Sequence, residues 1–212
     1  VRVLIDDYRA DVLAKDEVGL MPLHLAAWGN SVEAANILVS EHGADPHAKD
    51  DLGRTPLHLA SRSNSVEVVQ LLLDEHNADV HAKDEDDWTP LHFAARGNFV
   101  DARRHIIEHQ VNVHANKQYA WTPLHQTDRQ HYVELVRLLI DEHSATVDAR
   151  DDTGRTPLHY AAMCHAVKVT RLLIDEYDAD PHSKTTDGWT PLHAAALHDS
   201  VETVRFLIDE CD

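Results

Sequence analysis

The chain has 212 residues, 43% of them hydrophobic and 26% charged, which is enough apolar material for a sizeable core and too much for a disordered chain. Only 7 Gly and 8 Pro exclude collagen-like and Pro/Gly-rich classes, and no apolar run approaches the roughly 18 residues of a membrane span. Against 37 Asp and Glu stand 19 Lys and Arg, a net charge of −18 that repels nucleic-acid backbones and anionic membranes.

Self-similarity organises everything that follows. Residues 1–15 read as the tail of an earlier repeat, because Val1-Arg2-Val3-Leu4-Ile5-Asp6 matches Val136-Arg137-Leu138-Leu139-Ile140-Asp141. Then come Met21-Pro22-Leu23-His24, Thr55-Pro56-Leu57-His58, Thr89-Pro90-Leu91-His92, Thr122-Pro123-Leu124-His125, Thr156-Pro157-Leu158-His159 and Thr190-Pro191-Leu192-His193. The His steps are 34, 34, 33, 34 and 34 residues, the mark of stacked supersecondary units.

One repeat, 50–83, shows the local physics. Asp51-Leu52-Gly53 predicts a turn. Thr55 is a natural N-cap, and Pro56 suits a first helical turn, where a missing N–H costs nothing. Leu57, Leu59 and Ala60 begin a short helix with a small surface for close packing. Asn64 ends it, since Asn tolerates the left-handed region. Ser65 opens a second helix through Val66, Val68, Val69, Leu71 and Leu72, and Asn77-Ala78-Asp79 turns the chain.

This pattern resembles the ankyrin repeat over essentially the whole chain, on the T-P-L-H-x-A cores, the paired Leu of the second helix and the Ala-Asp turns. The resemblance implies an all-α repeat fold, an ankyrin solenoid of helix-turn-helix units joined by β-hairpin loops. It divides a single 1–212 domain into a partial repeat 1–15, full repeats 16–49, 50–83, 84–116, 117–150 and 151–184, and a truncated repeat 185–212. The chain begins and stops at the same phase, which reads as a piece of a longer array.

Two departures stand out. Four of the five steps carry one residue more than the usual period, near the end of the second helix, and only 84–116 keeps 33; the extra residue is expected to extend that helix. Arg103 and His105 replace Val69 and Leu71, and Gln126-Thr127-Asp128 replaces Leu59-Ala60-Ser61. Polar groups at core positions need partners, so a network of Asp128 with Arg103 or His105 is expected there, at some cost in local stability.

The chemistry-bearing residues point away from catalysis. The T-P-L-H histidines are about one packing distance apart, roughly 8–10 Å, too far to share a zinc ion. Each is expected to bond its own Thr and the local backbone. Further ladders are His47, His81, His114 and His182, and His42, His76, His109 and His143, and neither is assigned a metal. Asp84-Glu85-Asp86-Asp87 lacks calcium-loop spacing and reads as a solvated hairpin tip, with a turn slightly strained or altered in type where Asp87 replaces Gly. Cys164 has no evident oxyanion donor or acidic orienter, and nucleotide-binding Gly motifs are missing from the sequence. No enzyme activity and no cofactor are expected. Cys164 and Cys211 form no disulfide framework, which favours a reducing, cytoplasmic setting.

The remaining candidates are surface contacts. The family carries recognition on its hairpins and on the solvent side of the first helix. Here those positions hold Trp88, Tyr119, Trp121 and Trp189 on hairpins, and Trp28, Arg62, Arg96 and Arg129 on first helices, residue types enriched at binding hot spots. The tryptophans can equally serve to pack along the hairpins. The resulting expectation is a monomeric scaffold that binds another protein, with a basic rim, on its concave face. The alternative is a structural spacer within a larger chain.

Overall fold

The computed structural model describes residues 1–96, 100–109, 113, 121–126 and 132–211, with only the backbone of Val100 and Arg103. Two compact units divide the chain, Val1–Asn112 and Val113–Asp212. Among the described residues, no helix is long and apolar enough to cross a membrane.

The first unit opens on α1 (Arg2–Asp6). Three helix pairs follow: α2 (Pro22–Trp28) with α3 (Val32–Asn36), α4 (Pro56–Ser63) with α5 (Val66–Gln70), and α6 (Pro90–Arg96) with α7 (Val100–Glu108). The second unit starts with a 3-10 turn, Pro123–Gln126, paired with α8 (Val133–Arg137). Then come α9 (Pro157–Met163) with α10 (Val167–Asp175), and α11 (Pro191–Leu197) with α12 (Val201–Asp209). Within each unit first helices pack on first helices, α2 on α4 on α6 and α9 on α11, and second helices such as α5 and α7 pack likewise. Buried alanines permit the approach: Ala27, Ala60, Ala94 and Ala95 in one unit, and Ala161, Ala162 and Ala195 in the other. Leu57, Leu72, Leu91 and Ile106, and Leu158 and Leu173, fill the space between the helices.

The turns follow from residue chemistry. Asn30, Asn64, His165 and Asp199 take left-handed φ between the two helices of their pairs, the geometry expected of Asn64. Hairpins close on an aspartate: Asp50 Oδ1 accepts from the N–H groups of Leu52 at 3.0 Å and Arg54 at 2.8 Å. Asp84 does the same for Asp86 and Trp88, and Asp151 for Thr153 and Arg155. Asp87 keeps the left-handed conformation that Gly53 has, with φ +61°, so the turn type is kept and the slight strain expected of a residue other than Gly falls on Asp87, whose short polar side chain tolerates that region.

The additional residue behaves differently from a simple extension. In three second helices the last five residues widen to π hydrogen bonding: Ile37–Glu41 after α3, Leu71–Glu75 after α5 and Leu138–Glu142 after α8. A wider turn takes up one residue without lengthening the helix much. The shorter repeat around α7 stays α throughout, but so does α10, whose repeat has the longer length. Length therefore permits the wide turn and does not compel it.

The polar departures are partly visible. Asp128, Thr127 and the side chain of Arg103 lie outside the described residues. His105 pairs with Asp74 and Glu108. Gln126 is buried, and among the described residues its amide nitrogen and oxygen have no partner. Its counterparts in other repeats are Leu59, Phe93 and Tyr160. Replacing Gln126 by Leu should stabilise the second unit by about 1–2 kcal/mol, because an unpaired buried amide is removed without changing volume much. Urea unfolding would measure this, and a lower midpoint would show that Gln126 is satisfied.

Candidate interaction surface

The face that the hairpins and first helices share is positioned by the T-P-L-H histidines. His58 is buried at the third position of α4. Its Nδ1 accepts from the Thr55 N–H at 3.0 Å, and Thr55 Oγ1 lies 2.8 Å from the same nitrogen. Because Nδ1 is the acceptor, Nε2 carries the proton, and it donates to the Trp88 carbonyl of the next hairpin at 3.0 Å. His24 reaches the Arg54 carbonyl, His125 the Arg155 carbonyl and His159 the Trp189 carbonyl in the same way. The expected bond to the motif's own Thr is present, and a second bond holds the neighbouring repeat. Burial lowers the basicity of all four rings, to about 4 for His58 and His125. These four are structural bridges, each tying its own motif to the hairpin of the next repeat.

In the first unit, Leu20, Trp28, Arg54, Leu59 and Arg62 line a cavity of about 230 Å³. Trp28 is 55% exposed, and Arg62 is exposed beside it. Arg54 is fixed at the cavity wall by Asp50, whose carboxylate takes the guanidinium at 2.7 Å. Trp88 is half-buried against Phe93 at 5.2 Å between ring centroids, and the Arg96 guanidinium lies 5.6 Å from the Trp88 ring. Arg96 is exposed, so the pair offers a flat aromatic–cation surface.

The second unit carries its own aromatic group. Trp121 lies 5.1 Å from Tyr160, and Arg155 lies 5.9 Å from the same ring. Tyr160 donates to Asp151 at 2.6 Å, and burial together with that carboxylate pushes its hydroxyl up to about 12. Trp189 is exposed and lies 6.3 Å from His193. Tyr119 and Arg129 lie outside the described residues.

Of the candidates read from sequence, then, Trp28 and Arg62 line one cavity and Trp88 meets Arg96. Leu59, which lines the cavity from a buried position, and Tyr160, which lies against Trp121, were missed as members of these groups, since both stand at a position that reads as core. The available signal was Arg54 at the position where other repeats hold Trp, which marks the hairpin residue next to that helix.

The class these features define is an all-α repeat protein whose stacked helix pairs, within each unit, present a face of hairpins and first helices. A family model described as ankyrin repeats in three copies matches residues 1–84, 23–118, 72–151, 91–185 and 128–212. The chain belongs to the ankyrin-repeat family. Repeats of this family are generally protein–protein interaction modules and are typically non-enzymatic. No curated protein matches the chain.

Proposed function

We propose that the chain is a protein-binding scaffold and that the first unit engages its partner through the cavity at Trp28, Arg54 and Arg62, with Trp88 and Arg96 as a second contact. The observation that carries this reading is the cavity itself: a largely exposed Trp and two Arg placed around a small apolar floor of Leu20 and Leu59. Tryptophan supplies large contact area with few rotors to freeze, and Arg pairs with carboxylates or carbonyls of the partner. The net charge of −18 steers a partner with a basic rim, with an on-rate that falls as salt rises. Trp121, Tyr160 and Trp189 offer a comparable surface on the second unit.

A displayed protein library selected against the wild-type chain tests the reading. Binders should lose about 2 kcal/mol or more, roughly thirtyfold, against a Trp28→Ala/Arg62→Ala chain of unchanged helicity. Trp28 is exposed, so the fold should survive its removal. Binders that ignore the double substitution would place the interface elsewhere, and failure to select any binder would favour the spacer role.

A further inference from the structure

We infer that Asp74, His105 and His109 form a divalent-metal site, best suited to zinc, that ties two neighbouring repeats together. His105 sits on α7, His109 is the turn residue that directly follows it, and Asp74 comes from the wide turn after α5. One ligand atom from each lies within 4.8 Å of the others. Asp74 Oδ1 is 3.3 Å from His105 Nε2 and 2.9 Å from His109 Nε2. Bonds of about 2.0–2.1 Å to a tetrahedral zinc put neighbouring ligand atoms about 3.3 Å apart, so both separations are near those of a bound ion.

Three independent features prepare this arrangement. First, His105 stands where the other second helices hold Ile37, Leu71, Leu138, Leu172 and Phe206. Second, in the longer repeats the helix-end histidines His42, His76 and His143 follow that position by five residues, whereas His109 follows His105 by four. The one-residue shortening, with an α7 that stays α, puts the two rings one helical turn apart, with centroids 4.8 Å from each other. Third, His109 Nδ1 lies 2.9 Å from the His105 carbonyl. A carbonyl only accepts, so Nδ1 carries a proton and Nε2 is the nitrogen turned to Asp74. A backbone bond to the far ring nitrogen is the usual way a ligating histidine is oriented. Glu108 Oε2 stands 3.6 Å from His105 Nδ1 and can orient that ring in turn.

Elsewhere a single contact serves the equivalent aspartate: Tyr177 donates to Asp141 at 2.9 Å, and His42 faces Asp6 at 3.6 Å. A second histidine is not needed to hold Asp74, but it completes a two-nitrogen, one-oxygen set that borderline cations prefer. Asp74 is exposed and both histidines are half-buried, which leaves room for water at the fourth position. Equivalent positions in successive repeats lie too far apart to share an ion, whereas these three ligands come from non-equivalent positions.

Zinc titration by calorimetry, with cobalt as a spectroscopic probe, decides the matter. The wild-type chain should take up one tight equivalent of zinc, unfold at a higher temperature with it, and give the visible bands of four-coordinate cobalt. His105→Leu, which installs the residue of the neighbouring repeats, and the exposed Asp74→Asn should each weaken that equivalent at least tenfold, by about the factor that even outer-shell changes cost. His76→Gln should leave it unchanged. Equal zinc uptake by the wild type and both ligand variants would overturn the proposal, as would wild-type chain without the cobalt bands. If His105→Leu lost helicity, Asp74→Asn alone would carry the comparison.

Discussion

The array should lose stability steeply as pH falls from about 6.5 toward 4, and His58 and His125 should carry much of that loss. Each ring is buried, with Nδ1 accepting from a Thr N–H and Nε2–H donating to the next hairpin. Burial holds both down to about 4 from 6.5, against the opposing pull of the carbonyl each one donates to. The unfolded chain therefore binds more protons than the folded chain between those values. Stability is fully present above 6.5, declines through the window, and changes no further from these groups once both states are protonated. The limiting loss is roughly 3 kcal/mol for each ring. His24 and His159 are shifted in the same direction by the same cause and add to it. A His58→Gln chain should be less stable than wild type at pH 7 by about 1–3 kcal/mol, since two hydrogen bonds are lost in a buried place. The difference should narrow as pH drops to 4.5, because the variant lacks one group that takes up a proton on unfolding. Urea midpoints across that range measure it, and a gap that stays constant with pH would show that His58 protonates freely in the folded chain.

The second large effect concerns how hairpins stack in the second unit. Gly154 has φ +77°, and a Cβ built on it would lie 2.9 Å from the Thr186 backbone nitrogen and 3.2 Å from two Thr185 backbone atoms. Gly188 has nearly the same φ, +81°, but nothing within 4 Å of that point. Gly188→Ala should therefore cost only the conformational penalty of the left-handed region, about 1–2 kcal/mol. Gly154→Ala should cost that and the separation of two hairpins, about 3 kcal/mol or more, because backbone atoms cannot swing aside as side chains do. The separation would strain the bond from Thr186 N–H to the Thr153 carbonyl, now 2.9 Å. Chemical denaturation of the two variants isolates the packing contribution, and equal losses would mean that the hairpins are free to move apart.

Much of the architecture was legible in the residues because its causes are local. Thr before Pro starts a helix, Asn in the left-handed region stops one, and Leu and Ala at helical spacing declare the buried face; Asn64, Thr55 and Pro56 behave as their chemistry requires. The position of Asp87 shows the limit even of local rules, since a hairpin held by the Asp84 carboxylate keeps its turn without glycine.

What stacking decides was hidden. The second bond of His24, His58, His125 and His159 reaches a carbonyl 30 residues away, a distance set by how repeats are offset in space. Whether an additional residue becomes a wide helical turn, as after α5, or is absorbed otherwise, as in α10, depends on packing that a repeat length does not encode. The sequence by itself determined the repeat, its helices and the bond of the motif histidine to its own Thr, because each follows from the preferences of neighbouring residues. Only the tertiary structure brought Trp28 with Arg62 around one cavity and Asp74 to His105 and His109, because those residues occupy non-equivalent positions whose separation is fixed by the register of one repeat on the next.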